Sequence, residues 1–333
     1  MQAILAVTVP FFGLVLLGYL AAQRHLLPAA AIPGLNAYVL FFALPCMLLR
    51  FGASLPLGRL LDPLLLVIYT VCALAMVAPT LVVTLRRKGR NGGVDLRDAA
   101  FGALVAAFPN SGFMGVPLLV ALLGDSAAGP AISAILIDLV VTSTLCLSLA
   151  QASRHRANAT AERSLLASAA LSLRGALTNP LPWAIVIGAA LSALDRELPG
   201  PLAQIVRMLG DSAAPVALFT IGAVLWRAGR HDHSRTPASH YLPVALLKLL
   251  AHPALVFAVG GGAIALGAAV PRTGLTALTL VAALPSASNV SVLAELYGAD
   301  NGRIARIIMA STVLAFATFS ALAWAFGVGA GRG

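Results

Sequence analysis

The sequence predicts an all-α integral membrane protein of ten transmembrane helices, arranged as a 5+5 inverted repeat with helices four and nine broken. Three observations carry that prediction. The 333 residues are 59% hydrophobic and only 10% charged, with a mean hydropathy of +0.93, whereas soluble domains carry about 25% charged residues. The apolar residues fall in ten runs near the roughly 20 residues that a spanning helix requires. Two of those runs carry proline and polar residues at their centres, FPNS at 108–111 and LPSAS at 284–288.

Read by length, the spans are approximately 2–23, 35–54, 61–85, 99–123, 128–151, 178–195, 205–227, 241–268, 274–297 and 304–327. Loops are short except for the segment RHRANATAERSLLASAALSLRGALT. Its leucines recur at helical spacing among Arg, Glu and Ser, which predicts an amphipathic surface helix. The chain therefore divides into a first five-helix repeat at 1–151, a cytoplasmic linker at 152–177 and a second repeat at 178–333.

The bases set the expected orientation, because cytoplasmic loops carry excess Lys and Arg. After odd-numbered spans lie fifteen: Arg24, Arg86, Arg87, Lys88, Arg90, Arg97, Arg154, Arg156, Arg163, Arg174, Arg227, Arg230, Arg235, Arg303 and Arg306. The other side has six: Arg50, Arg59, Arg196, Arg207, Arg272 and Arg332. Both termini are expected to face away from the cytoplasm, in the inner membrane. No positive region precedes the first span, so it does not read as a cleaved signal peptide. The acceptor-like Asn158 would lie on the cytoplasmic side, where the match carries no weight. A net charge of +10 does not imply nucleic acid, since the bases sit in gaps between apolar runs rather than on one solvated face. Cys46, Cys72 and Cys146 fall inside apolar runs without metal-ligand spacing, so neither a metal site nor a cofactor is expected. No HExxH, GxSxG or paired catalytic aspartates are present, which argues against an enzyme.

The two halves echo each other. LVAAFPNS at 104–111 has a counterpart in LVAALPSAS at 280–288. Pro10 and Gly18 in span one are spaced like Pro180 and Gly188 in span six, both spans are followed by Leu-Pro, and Pro45 in span two corresponds to Pro215 in span seven. Five is odd, so the second copy must enter the membrane upside down relative to the first. Pro109 and Pro285 then sit about 15 Å deep at ~1.5 Å per residue, near the midplane. Irregular backbone survives there only where protein buries it or it lines a polar cavity. Two breaks meeting at that depth, with Pro109, Pro285 and Gly112 as the breaking residues, would converge two half-helix N-termini that attract negative charge. Asn110 and Asn289 add neutral amide donors, and Ser111, Ser286 and Ser288 add hydroxyls. Such a site suits an anion, above all a carboxylate.

Ionisable residues inside spans are costly and usually face a cavity or a partner. Asp138 lies ten residues into span five, within AILIDLVV, as a structural carboxylate or a proton or cation site. Lys248 lies two turns into span eight, with His252 on the same helical face, and is close enough to an end to snorkel. Glu295 is near a membrane end and is expected to be structural, as a partner of Lys248. These four are the coupling-ion candidates.

Several stretches resemble the auxin efflux carrier family: VPFFGLVLLGYLAAQ in span one, ALP in span two, FPNSGFMGVPLL in span four, APVALFTIGAVL in span seven, KLLAHPAL in span eight and LPSASNVSVLAELYG in span nine. That family includes plant auxin exporters and bacterial malonate-transporter-like proteins, and the short central loop resembles the bacterial members. The resemblance implies a fold related to bile-acid and sodium–proton carriers, with spans four and nine crossing as broken helices. It also implies a scaffold of spans one, two, six and seven, a moving core of the rest and, in many members, a homodimer. The family's crossover asparagines map onto Asn110 and Asn289. The function expected is a secondary carrier in the lipid bilayer for a small organic anion, a mono- or dicarboxylate such as malonate or an auxin-like acid, coupled to a proton, to sodium or to neither. A sodium-coupled symporter of bile-acid type and an anion channel are the alternatives.

Overall fold

A computed structural model describes residues 2–86, 88–89, 92–157, 174, 178–231 and 236–328. Apart from a hairpin pairing Lys88–Gly89 with Gly92–Gly93, the regular structure is helical. The principal helices are α1 (Gln2–Gln23), α2 (Ala29–Ser54), α3 (Pro63–Leu85), α4 (Leu96–Ala107), α5 (Ser111–Leu123), α6 (Asp125–Gln151), α7 (Pro180–Ala193), α8 (Gly200–His231), α9 (Ala238–Ala265), α10 (Arg272–Ala282), α11 (Asn289–Leu296) and α12 (Asn301–Ala325). The expected amphipathic helix of the linker lies outside the described residues beyond Ala157, as do Asn158 and the bases Arg87, Arg90, Arg163, Arg235 and Arg332.

Among the described residues, seven helices are long and apolar enough to cross a membrane, where the sequence reading expects ten spans, the fourth and ninth of them broken. The difference has two physical causes. Spans four and nine are each two helices, α4 with α5 and α10 with α11, where proline removes a donor and the backbone groups of each break bond across to the other break instead of along the helix. The sixth span, α7, has only 14 residues, about 21 Å at 1.5 Å per residue. Local signals set other ends: Asp62 caps α3, its Oδ1 accepting from the Leu64 and Leu65 N–H at 2.9 and 3.2 Å, with Pro63 at the first helical position.

The helices pack as two bundles. α1 lies along α8, and α2 packs on both α7 and α8, giving a frame of four helices. The remaining helices form a core in which α4 packs on α3 and α6, α9 on α3, α10 and α12, and α10 on α6. The seam runs mainly where α1 and α8 meet α5 and α12.

Lipid supplies no hydrophobic force between helices, so close backbone approach through small residues matters. A Cβ on Gly18 would overlap the Phe219 carbonyl, and one on Gly222 would overlap the Val15 carbonyl, so α1 and α8 touch backbone to backbone. The contact recurs between α7 and α2, where Gly188 meets the Leu49 carbonyl and Gly52 meets that of Ile185. Each of these eight atoms' residues lies 170 positions from its counterpart, as do Pro10 from Pro180 and Pro45 from Pro215.

The core is tied differently. Arg303, in the first turn of α12 and 3% exposed, donates from Nε to the His240 carbonyl at 3.0 Å, from Nη1 to the Asp98 carbonyl at 3.1 Å and from Nη2 to Thr84 Oγ1 at 3.0 Å. One side chain thereby joins the ends of α3, α4, α9 and α12.

Candidate functional site

The two breaks meet. Pro109 and Ser286 form an isolated antiparallel bridge, with the Asn110 N–H donating to the Pro285 carbonyl at 2.8 Å and the Ala287 N–H to the Phe108 carbonyl at 3.0 Å. Each break thus satisfies groups that the other would leave stranded. The Ser286 N–H also donates to Ser311 Oγ on α12 at 3.1 Å, anchoring the crossing to the core. Past the bridge, α5 and α11 begin; the Ser111, Val290 and Ser291 N–H groups bond to the Pro109, Ala287 and Ser288 carbonyls at 2.8, 3.3 and 3.2 Å, which leaves those of Gly112, Phe113 and Asn289 without a backbone partner among the described residues.

A cavity of ≈ 30 Å³ opens at this point. Asn110, Ser111, Gly112, Ser288 and Asn289 line it from the two breaks, while Leu40 and Leu44 of α2 and Leu181 of α7 face them from the frame. No charged side chain lines it. Asn110 is 5% exposed and its amide makes no hydrogen bond among the described residues, so its donors are free for a ligand. Sequence reasoning brings four of its five substrate candidates here. Ser286 is the exception: it is buried behind the bridge, its Oγ without a partner among the described residues. Gly112, named with the two prolines as a breaking residue, lies in the first turn of α5, where a Cβ would meet only a Leu44 methyl at 3.8 Å. The close approach belongs to Gly115, against Leu284.

A second polar cluster lies inside the core. Asp138 is fully buried at the start of a π-helical turn, Asp138–Thr142, a distortion frequent at functional sites. Its Oδ2 accepts from the Tyr69 hydroxyl at 2.8 Å and its Oδ1 from Thr142 Oγ1 at 3.1 Å. The Tyr69 ring lies 5.8 Å from that of His252, and His252 Nδ1 is 3.2 Å from Lys248 Nζ. Lys248, in another π-helical turn, Leu247–Ala251, donates from Nζ to the Ala282 carbonyl at 2.6 Å. Ala282 is the last residue of α10, so the chain of side chains ends on a carbonyl that the break has freed. Lys248 accordingly does not snorkel; it is fully buried and aimed inward. Nor does it pair with Glu295, which is exposed on α11. Sequence reasoning places Asp138, Lys248 and His252 correctly inside spans and misses Tyr69. The available signal was a single phenol midway through the apolar run PLLLVIYTVC.

The family described as "Membrane transport protein" matches residues 3–324. The chain is also 28% identical over 333 residues to the "Putative malonate transporter" of Rhizobium meliloti (strain 1021), covering 99% of this chain and 98% of that protein. Both point to a transporter in a membrane rather than to an enzyme. Paired breaks, a neutral cavity at their crossing and this match over nearly the whole chain lead to one conclusion: the protein belongs to the membrane transport family that includes the auxin efflux carriers.

Proposed function

We propose that this protein is a secondary carrier that moves a small organic anion, a mono- or dicarboxylate, across the inner membrane by alternating access. The observation that carries the reading is the crossing itself: two helix breaks bonded to each other, with Asn110 and Asn289 in one uncharged cavity between frame and core. Freed N–H groups and amide donors recognise a carboxylate without a fixed countercharge. The name of the similar Rhizobium protein makes malonate the first cargo to try. The constant offset of 170 residues between the two glycine contacts supports an inverted repeat of 1–151 and 178–333 joined by the 152–177 linker. Ten membrane passages follow if each broken pair and α7 count as one, with both termini away from the cytoplasm. The frame holds still while the core shifts against it, in a monomer or homodimer. A coupling proton would reside on Asp138, a carboxyl fully buried in the core with no ion pair among the described residues.

The test is binding of malonate to purified protein. Losing one hydrogen bond to a charged group typically costs ~1.5–3 kcal/mol, so Asn110→Ala and Asn289→Ala should each weaken binding about tenfold to a hundredfold. Aspartate at either position should be worse than alanine, because it sets a negative charge against the bound carboxylate. Preserved affinity with aspartate at both positions means that the anion does not sit at the crossing. Ser148→Ala, away from the breaks, is the control and should bind normally.

A further inference from the structure

The crossing is not the only opening between frame and core. About one turn beyond Leu44 on α2 and Phe113 on α5, a wider cavity of ≈ 360 Å³ is lined by Met47 and Phe51 from one helix and Pro117 and Val120 from the other. Positions 44, 47, 51 and 54 follow the three-four spacing that keeps residues on one helical face. The two cavities therefore lie along one groove, and whatever governs the wide end governs access to the crossing from that side.

Three charged side chains line the wide end: Arg50 on α2 and Asp211 on α8, both on the frame, and Asp125 at the start of α6, on the core. Arg50 Nη1 donates to Asp211 Oδ1 at 2.6 Å and to the Arg207 carbonyl at 3.4 Å. Its Nη2 and Nε make no hydrogen bond, and Asp125 makes no ion pair, among the described residues. The pair is held loosely, with the two side chains 43% and 65% exposed. An exposed pair of this kind shifts an equilibrium by about fivefold or less. One cation thus stands among two carboxylates, one on its own bundle and one on the facing bundle, and one carboxylate is always left over.

We propose that Arg50 is a two-position latch for this cavity. Paired with Asp211 it stays on the frame and the groove is open; paired with Asp125 it ties frame to core and the groove is shut. The latch rests on the reading that the two bundles move relative to each other, but not on which anion is carried. It makes the two carboxylates act in opposite senses on one equilibrium, which a static ion pair cannot do.

The experiment needs no substrate. Ser54, exposed at the cavity, is replaced by cysteine in a Cys46→Ala background, and the rate of modification by neutral N-ethylmaleimide reports how open the cavity is. Asp211→Asn releases Arg50 to Asp125 and should slow labelling; Asp125→Asn removes the shut position and should speed it, each by about two- to fivefold. Both effects should vanish when Arg50→Gln is added. Removing a nearby carboxylate without any latch would raise thiolate reactivity in both variants, so shifts of the same sign overturn the proposal. Absence of any shift, or shifts that persist without Arg50, also overturns it. If Arg50→Gln folds poorly, the signs of the two aspartate variants already decide. Labelling that follows these signs in a protein that fails to bind malonate leaves the latch standing and removes malonate as the cargo.

Discussion

The frame and the core are both bundles of apolar helices, yet they are held together by opposite means. In the frame, α1 and α8 approach until only glycine fits, with Gly18 against the Phe219 carbonyl and Gly222 against that of Val15. The core buries ionisable side chains instead, with Asp138, Lys248 and His252 each fully buried, the first two bonded across helix boundaries and His252 to Lys248 on its own helix. Backbone contact of this closeness leaves little room to slide, and a polar network can exchange partners as its protons move. On the proposed mechanism, the comparison teaches that the part that holds still and the part that shifts differ in what fills their interfaces.

The largest effect should come from forcing the frame apart. Gly18→Leu inserts a side chain where even a Cβ overlaps a carbonyl, and overpacking a well-filled site costs typically 1–3 kcal/mol and sometimes more; about 3 kcal/mol or more is expected here. Gly13 on the same helix has nothing within 4 Å of a Cβ, so Gly13→Leu is the matched comparison. Equal melting temperatures for the two variants in detergent would remove close approach as the basis of the frame.

The core should respond in mechanism before it responds in stability. Asp138→Asn keeps an acceptor for the Tyr69 hydroxyl but cannot release a proton, so pH-driven accumulation of substrate should be lost while equilibrium exchange persists. Full pH-driven uptake in that variant would take Asp138 out of the coupling. Tyr69→Phe strands a buried carboxylate oxygen, for which ~1–3 kcal/mol of destabilisation is expected, measurable as a lower melting temperature.

The smallest effect sharpens the contrast between buried and exposed charge within the core itself. Glu295 is exposed on α11, and surface substitutions away from special features usually stay within about 0.5 kcal/mol. Glu295→Gln should therefore leave both stability and transport unchanged. A marked loss of coupling would mean that the second half of span nine holds an ionisable partner after all.

The sequence revealed most where chain chemistry is local. Pro10, Pro79, Pro215 and Pro243 sit inside continuous helices, so proline alone marks no break; Pro109 and Pro285 were readable because polar residues follow each of them and because LVAA precedes both. Contacts between distant segments were not. Nothing in the string ties Lys248 to the Ala282 carbonyl rather than to Glu295, because both are plausible partners until the helix faces are known. Ser286 and Ser288 look alike two residues apart, yet the bridge turns one behind the crossing and the other into the cavity. The 14-residue α7 read as a longer span because a length criterion overlooks its ends: Asn179 caps the start, its side chain accepting from the Leu181 N–H, and the chain turns at Asp195 with a positive φ.

The bridge between the breaks also bears on how the protein is made. Pro109 and Pro285 are separated by 176 positions, which is roughly 10 to 35 seconds of synthesis at about 5–20 residues per second. During that interval the Phe108 carbonyl and the Asn110 N–H have no counterpart, at a depth where unsatisfied backbone is costly. The first half must therefore wait in some sheltered form, straightened or screened by the insertion machinery, until the second half arrives to complete it. Two halves expressed as separate chains should recover the fold only when they are made together, since each carries half of a joint that neither can close alone.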